Sequence, residues 1–193
     1  MPSSSAEPPV RAFASRAAWE KWLDAHHGDE AGVWMKFAKK GTGVTTVTYA
    51  EALEVALCYG WIDAQVKRFD ETYYLQRFTP RRARSKWSRI NRESATRLIE
   101  SGLMRAPGLA EVERAKADGR WDAAYDSPAT AAVPEDFERA LARNKKAREF
   151  FATLSSANRY AILYRIQDAK RPETRARRIT QLVEMLARGE KFH

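Results

Sequence analysis

At 193 residues, 44% hydrophobic and 31% charged, the chain can bury a core without metals or cross-links and has the composition of a globular protein. Its single cysteine excludes an internal disulfide, its three histidines stand at no zinc spacing, and no run of ~18 apolar residues is available to span a membrane. A formal net charge of +9 directs attention to an anionic ligand, nucleic acid or an acidic protein as partner.

Residues 1–12, rich in Pro, Ser and Ala, are expected to form a disordered tail. They lack a basic segment followed by an apolar one, so no secretory signal is expected, and the cysteine content suits a cytoplasmic location. Phe13 to His27 reads as a helix capped by Ser15, with Trp19, Trp22, Leu23 and His26 as its apolar stripe. Gly32 to Ala38 alternates as a strand, Val33, Met35 and Phe37 against Trp34 and Lys36. Lys39-Lys40-Gly41-Thr42-Gly43 raises the question of a phosphate cradle. Its order is wrong for a Walker loop, which needs Gly-Lys-Ser/Thr opening a helix, so a plain loop is expected.

Tyr49 to Tyr59 is expected as a helix, with Thr48 and Glu51 spaced as a capping box and Gly60 as terminator. Ala64–Asp70 and Thr72–Phe78 then alternate as a strand pair around the turn Phe69-Asp70-Glu71-Thr72, and Thr79-Pro80 ends the second strand. From Lys67 to Arg92 there are nine basic residues against two acidic ones, interleaved with Trp87 and Ile90. Ser85 or Ser88 can cap a helix running to about Ser101, closed by Gly102. Pro107 to Asp118 is another helix, followed by an aromatic anchor over Trp121 to Tyr125.

Residues 127–133 read as a linker, small, uncharged and bounded by proline. Residues 134–193 read as helices throughout, capped by Asn144, by Ser155 or Ser156, and opened by Pro172. Arg171, Arg175, Arg177 and Arg178 cluster at the start of the last one, the unfavourable end of its dipole, which suggests arginines kept for a partner or paired with Glu173. The expected architecture is α+β: a small antiparallel sheet with flanking helices over residues 13–126, followed by an all-helical section.

Chemistry is sparse. No metal site, cofactor or catalytic residue is assigned. Cys58, between Leu57 and Tyr59, is expected to be a buried core thiol. Asp63 either pairs with Arg77, Arg81 or Arg82, or orients a ligand or acts as a base. Ser85 and Ser88 sit in an electropositive setting that helix capping explains equally well. Trp61, Tyr73, Arg77, Arg82, Trp87 and Asn91 either line one cleft, stacking rings and holding phosphate, or divide between core and surface. The ligand-binding set is therefore Trp61, Asp63, Arg77, Arg81, Arg82, Ser85, Trp87, Ser88 and Asn91.

The run Trp61-Ile62-Asp63, a strand pair, Thr79-Pro80-Arg81, Ser85-Lys86-Trp87-Ser88-Arg89-Ile90-Asn91 and Leu98-Ile99-Glu100-Ser101-Gly102-Leu103-Met104 resembles the YdeI/OmpD-associated family, also called bacteriocin-protection proteins. The resemblance extends through Gly108-Leu109 and Asp118-Gly119-Arg120-Trp121 and returns in Glu173-Thr174-Arg175-Ala176-Arg177-Arg178-Ile179. It implies a role in surviving bacteriocins or envelope stress and carries no catalytic mechanism. The expected function is a stress or bacteriocin-protection protein that binds through its basic central surface. A nucleotide or small-molecule pocket with an unassigned enzymatic activity, a nucleic-acid module, and a protein–protein module that neutralises an acidic toxin are the alternatives.

Overall fold

A computed structural model describes residues 7–193, which form two compact units. Of the described residues, the first comprises 7–87 together with Asn91–Ala123; the second comprises Ser88–Ile90 and Ala124–His193.

The first unit is built on a four-stranded mixed sheet in the order β1-β2-β4-β3: β1 Val10–Ala12, β2 Val33–Ala38, β3 Trp61–Arg68 and β4 Tyr73–Pro80. The sequence suggests three antiparallel strands. The fourth, β1, comes from the stretch read as a disordered tail and runs parallel to β2. It shows no alternation because all three of its residues are exposed, and it is held by ladder bonds such as Trp34 N–H to the Pro9 carbonyl. Of the rest of that reading, residues 7–9 lead irregularly into β1 and residues 1–6 lie outside the described residues. β3 also starts earlier than its alternation suggests, at Trp61, because a bulge between Asp63 and Val66 breaks the period. Asp70 closes the β3–β4 turn by accepting the N–H groups of Thr72 and Tyr73 on its carboxylate.

Two helices lie on one face of this sheet. α1 (Arg16–His26) is capped by Ser15, whose hydroxyl accepts Ala18 N–H. It buries Trp19 and Leu23 completely. α2 (Tyr49–Cys58) begins with the full Thr48–Glu51 capping box. Trp19 Nε1–H donates to the Ala52 carbonyl at 3.0 Å and its ring lies 5.8 Å from Phe78 and 6.2 Å from Trp61, so one indole joins both helices to the sheet. Each such fully buried large side chain is worth about 1.5–3 kcal/mol.

α3 (Arg89–Glu100) and α4 (Ala106–Ala117) follow. α4 approaches α2 closely at Gly108, where an added Cβ would run into the Cys58 carbonyl and the Met104 sulfur. Gly60, at φ +72°, makes the sharp reversal from α2 into β3 and faces the Pro107 carbonyl of α4.

The second unit is all helix: α5 (Glu135–Ala142), α6 (Lys145–Thr153), α7 (Ser156–Gln167) and α8 (Pro172–Ala187) around Phe137, Phe151, Ile162, Ile166 and Leu186. Asn144 and Ser155 cap α6 and α7. The segment read as a linker is folded into this unit as a turn in which Thr130 N–H and Ala131 N–H donate to the Ser127 carbonyl. The arginines at the start of α8 turn inward in part. Arg175 grips Asp136 with two hydrogen bonds of 2.6 and 2.9 Å and donates a third to the Ile166 carbonyl; Arg178 donates to the Arg165 carbonyl. Ile166 and Arg165 lie in the last turn of α7, so these side chains satisfy carbonyls the helix leaves open. The hydrogen bonds from Arg175 hold Asp136 below the usual carboxylate range.

Candidate functional site

Strand alternation gives the sheet two unlike faces. The inner face carries Val33, Met35 and Phe37 of β2 and Phe78 of β4, all buried under the helices. The outer face carries Trp34 and Lys36 of β2, Tyr73, Leu75 and Arg77 of β4, Lys67 of β3 and Val10 of β1. In register, Trp34 stands between Val10 and Arg77, and Leu75 between Lys36 and Lys67. No strand residue of this face is acidic.

The cations of the outer face sit over its rings. Lys67 Nζ is 4.1 Å from the Trp34 ring centre, and Lys36 Nζ is 4.5 Å from that of Phe69 and 5.4 Å from that of Tyr73. Phe69 is 47% exposed and Lys67 is exposed, so these pairs face water rather than a packed layer. Leu75 is nonetheless buried beside the two lysines, whose aliphatic stems flank it. Arg77 reaches past the sheet and donates Nη2–H to the Ala31 carbonyl at 3.0 Å.

The nine residues singled out in the sequence do not meet in one cleft. Trp61 is fully buried, edge-on to Trp19 and Trp22, with its Nε1–H donated to the His27 carbonyl at 2.8 Å. Asp63 has the Tyr49 phenol as partner, O–H to Oδ2 at 2.9 Å, in place of an arginine. That phenol is raised well above its ordinary pKa, by burial first and then by the Asp63 charge. Arg77 is on the outer face. Arg82 is exposed, and its backbone N–H donates to Ser85 Oγ at 3.2 Å.

Arg81, Ser85 and Trp87 do come together. Arg81 is buried with its guanidinium 3.6 Å from the Trp87 ring centre and Nη1–H donated to the Lys86 carbonyl. Arg120 donates to the Ser85 carbonyl at 2.7 Å, and Trp121 meets the buried Trp87 edge-on at 4.9 Å. Close to these arginines, Glu111 bonds Arg114. Burial raises its carboxyl above the usual range against the pull of Arg114, Arg81 and Arg120. This cluster locks the segment after β4 onto the first unit. Ser88 bridges Tyr125 in the second unit, and Asn91 lies half-buried in the first turn of α3.

Sequence reasoning gave no site role to Trp34, Lys36, Arg120 or Glu111. For the first two the signal was present: Val33 to Phe37 alternates, and the face opposite the apolar residues holds a tryptophan and a lysine. Arg120 stood in the Asp118-Gly119-Arg120-Trp121 motif without a role attached to it, and Glu111 gave no signal, since a helical glutamate is an ordinary surface residue.

Elsewhere, Cys58 is buried and its thiol is pushed up to about 11 by that burial, so it is protonated at neutral pH. Among the described residues no group of three or more His, Cys, Asp or Glu is placed to hold a metal ion, and no helix is long and apolar enough to cross a membrane.

Residues 11–111, just over half of the chain, match the model of a domain of unknown function (DUF8412). Residues 130–189 match the model described as bacteriocin-protection, YdeI or OmpD-associated. No curated protein and no solved structure matches the chain.

Proposed function

The chain belongs to the DUF8412 family and carries a bacteriocin-protection, YdeI or OmpD-associated domain, and from that premise we propose that it acts in protection from bacteriocin or envelope stress by binding single-stranded nucleic acid on the outer face of its sheet. The observation that carries this reading is the set of cations held over partly exposed rings on a face none of whose strand residues is acidic.

The exchange on binding is favourable. A base stacking on Trp34 or Tyr73 must lift a lysine from the ring. That contact is worth about 0.5–1 kcal/mol at an exposed site. Base–aromatic stacking returns about 1–3 kcal/mol per base, and the displaced ammonium is then free to meet a phosphate. Arg77, and the exposed Arg82 and Arg84 beyond the end of β4, add positive charge. Trp61, Trp87 and Arg81 support the scaffold and do not touch the strand.

Fluorescence anisotropy with labelled mixed-sequence RNA, single-stranded DNA and duplex DNA tests it. Single strands should bind more tightly than duplex, because only their bases are free to stack. Trp34→Ala should weaken binding by about tenfold, the loss of one stacked base. Absence of binding at low salt, or a Trp34→Ala variant that binds as the wild type does, refutes the reading.

A further inference from the structure

Beneath the opposite face of the same sheet lies a hollow of about 670 Å³, within the roughly 300–1,000 Å³ of small-molecule sites. Its floor is aromatic: Phe37 and Tyr74 stack at 5.4 Å and Tyr49 meets Phe37 edge-on at 6.3 Å. Its wall is the irregular segment from Lys39 to Thr48, the lysine- and glycine-bearing loop that the nucleic-acid surface does not use. No residue lining the hollow is acidic, and two are lysines.

Of the hydroxyls around it, that of Tyr49 is given to Asp63 and that of Thr48 to Glu51; others remain as donors. Thr46 Oγ1 already accepts Ala38 N–H at 3.1 Å, so its own proton is left to give. The Tyr74 phenol is raised by burial and stays protonated. Lys39 is fixed by a 2.6 Å hydrogen bond from Nζ to the Asp70 carbonyl, whereas Lys40 is exposed at the mouth. Gly41 and Gly43 have positive φ with open space where a Cβ would stand, so the backbone there is accessible to a ligand. A flat ring matches the floor, and a phosphate matches the lysine end.

We propose that this hollow binds a nucleoside monophosphate, with the base against the half-buried Tyr74, which the buried Phe37 backs, and the phosphate at Lys40 and the Gly41–Gly43 loop. The site lies on the face away from Trp34, so it stands or falls independently of the nucleic-acid surface.

Titration calorimetry of the full chain with adenosine 5′-monophosphate, adenosine and inorganic phosphate tests the assignment. Saturable binding of the monophosphate is expected, with adenosine about tenfold weaker for want of a charge-assisted phosphate contact. Lys40→Ala, an exposed change without cost to folding, should bring the monophosphate down to the adenosine level and leave adenosine unchanged. Tyr74→Leu should weaken both, and Trp34→Ala neither. The proposal is overturned by absence of saturable monophosphate binding, by a Lys40→Ala variant that binds it as the wild type does, or by its loss in Trp34→Ala.

Discussion

On the inner face of the sheet Phe37, Phe78 and Trp61 lie against α1 and α2 and have lost their water; on the outer face Trp34, Phe69 and Tyr73 keep part of theirs beneath lysine ammonium groups. The cations divide in the same way. Arg81 and Arg175 are committed to fixed partners within the fold, while Lys67 and Lys36 hold rings they can release. Residue type does not separate the two sets. Which side of a layer a side chain falls on does, and with it the number of neighbours that would have to move before a ligand could take their place.

Substitutions on the two sides should therefore differ in kind. The largest effect is expected at the inner face: Phe78→Ala removes a fully buried ring and should destabilise the first unit by about 3–5 kcal/mol in denaturant unfolding. Gly108→Ala is next, because its methyl must displace backbone of α2; overpacking of this kind costs about 1–3 kcal/mol. Arg175→Ala should cost about 1–2 kcal/mol of second-unit stability, the pair with Asp136 being partly solvated.

The Arg175 variant also has a pH signature. Asp136 titrates below its ordinary value, so its contribution is complete above the unfolded carboxylate pKa of about 3.9 and is lost as the pH falls through the lower folded one. An acid titration followed by circular dichroism should show that loss in the wild type and a weaker one in Arg175→Ala. The smallest stability change is expected at the outer face. Trp34→Ala should shift unfolding by less than about 1 kcal/mol, and a drop comparable to that of Phe78→Ala would erase the distinction between the faces. Cys58 offers a check without mutation: a thiol reagent at neutral pH should label it only after unfolding, since burial both shields it and keeps it protonated.

Much of the framework was legible in the sequence because it rests on local signals. Ser15, the Thr48–Glu51 box, Gly60, Asn144, Ser155 and Pro172 marked helix ends that the structure places within a residue or two. β1 was not legible, since three exposed residues have no period and only β2 gives them a partner. The candidate site was read from the density of arginine and tryptophan after Cys58, and density says nothing about direction. Trp61 and Trp87 point into packed layers, and Arg81 lies on Trp87 instead of facing solvent. The arginines opening α8 were weighed as partner-binding because of the helix dipole. A neighbouring helix whose last carbonyls need donors is invisible to that argument, and Arg175 and Arg178 serve it.

The most direct test of the outer face is the salt dependence of single-strand binding in the wild type and in a Lys36→Gln/Lys67→Gln/Arg77→Gln variant. Three phosphate contacts on a single strand contribute about −2 to the slope of log K against log salt. The account predicts a wild-type slope at least that steep and a variant slope shallower by about 2, with thermal unfolding little changed. Equal slopes in the two proteins would contradict it, and would place whatever charge the strand meets elsewhere than on this face.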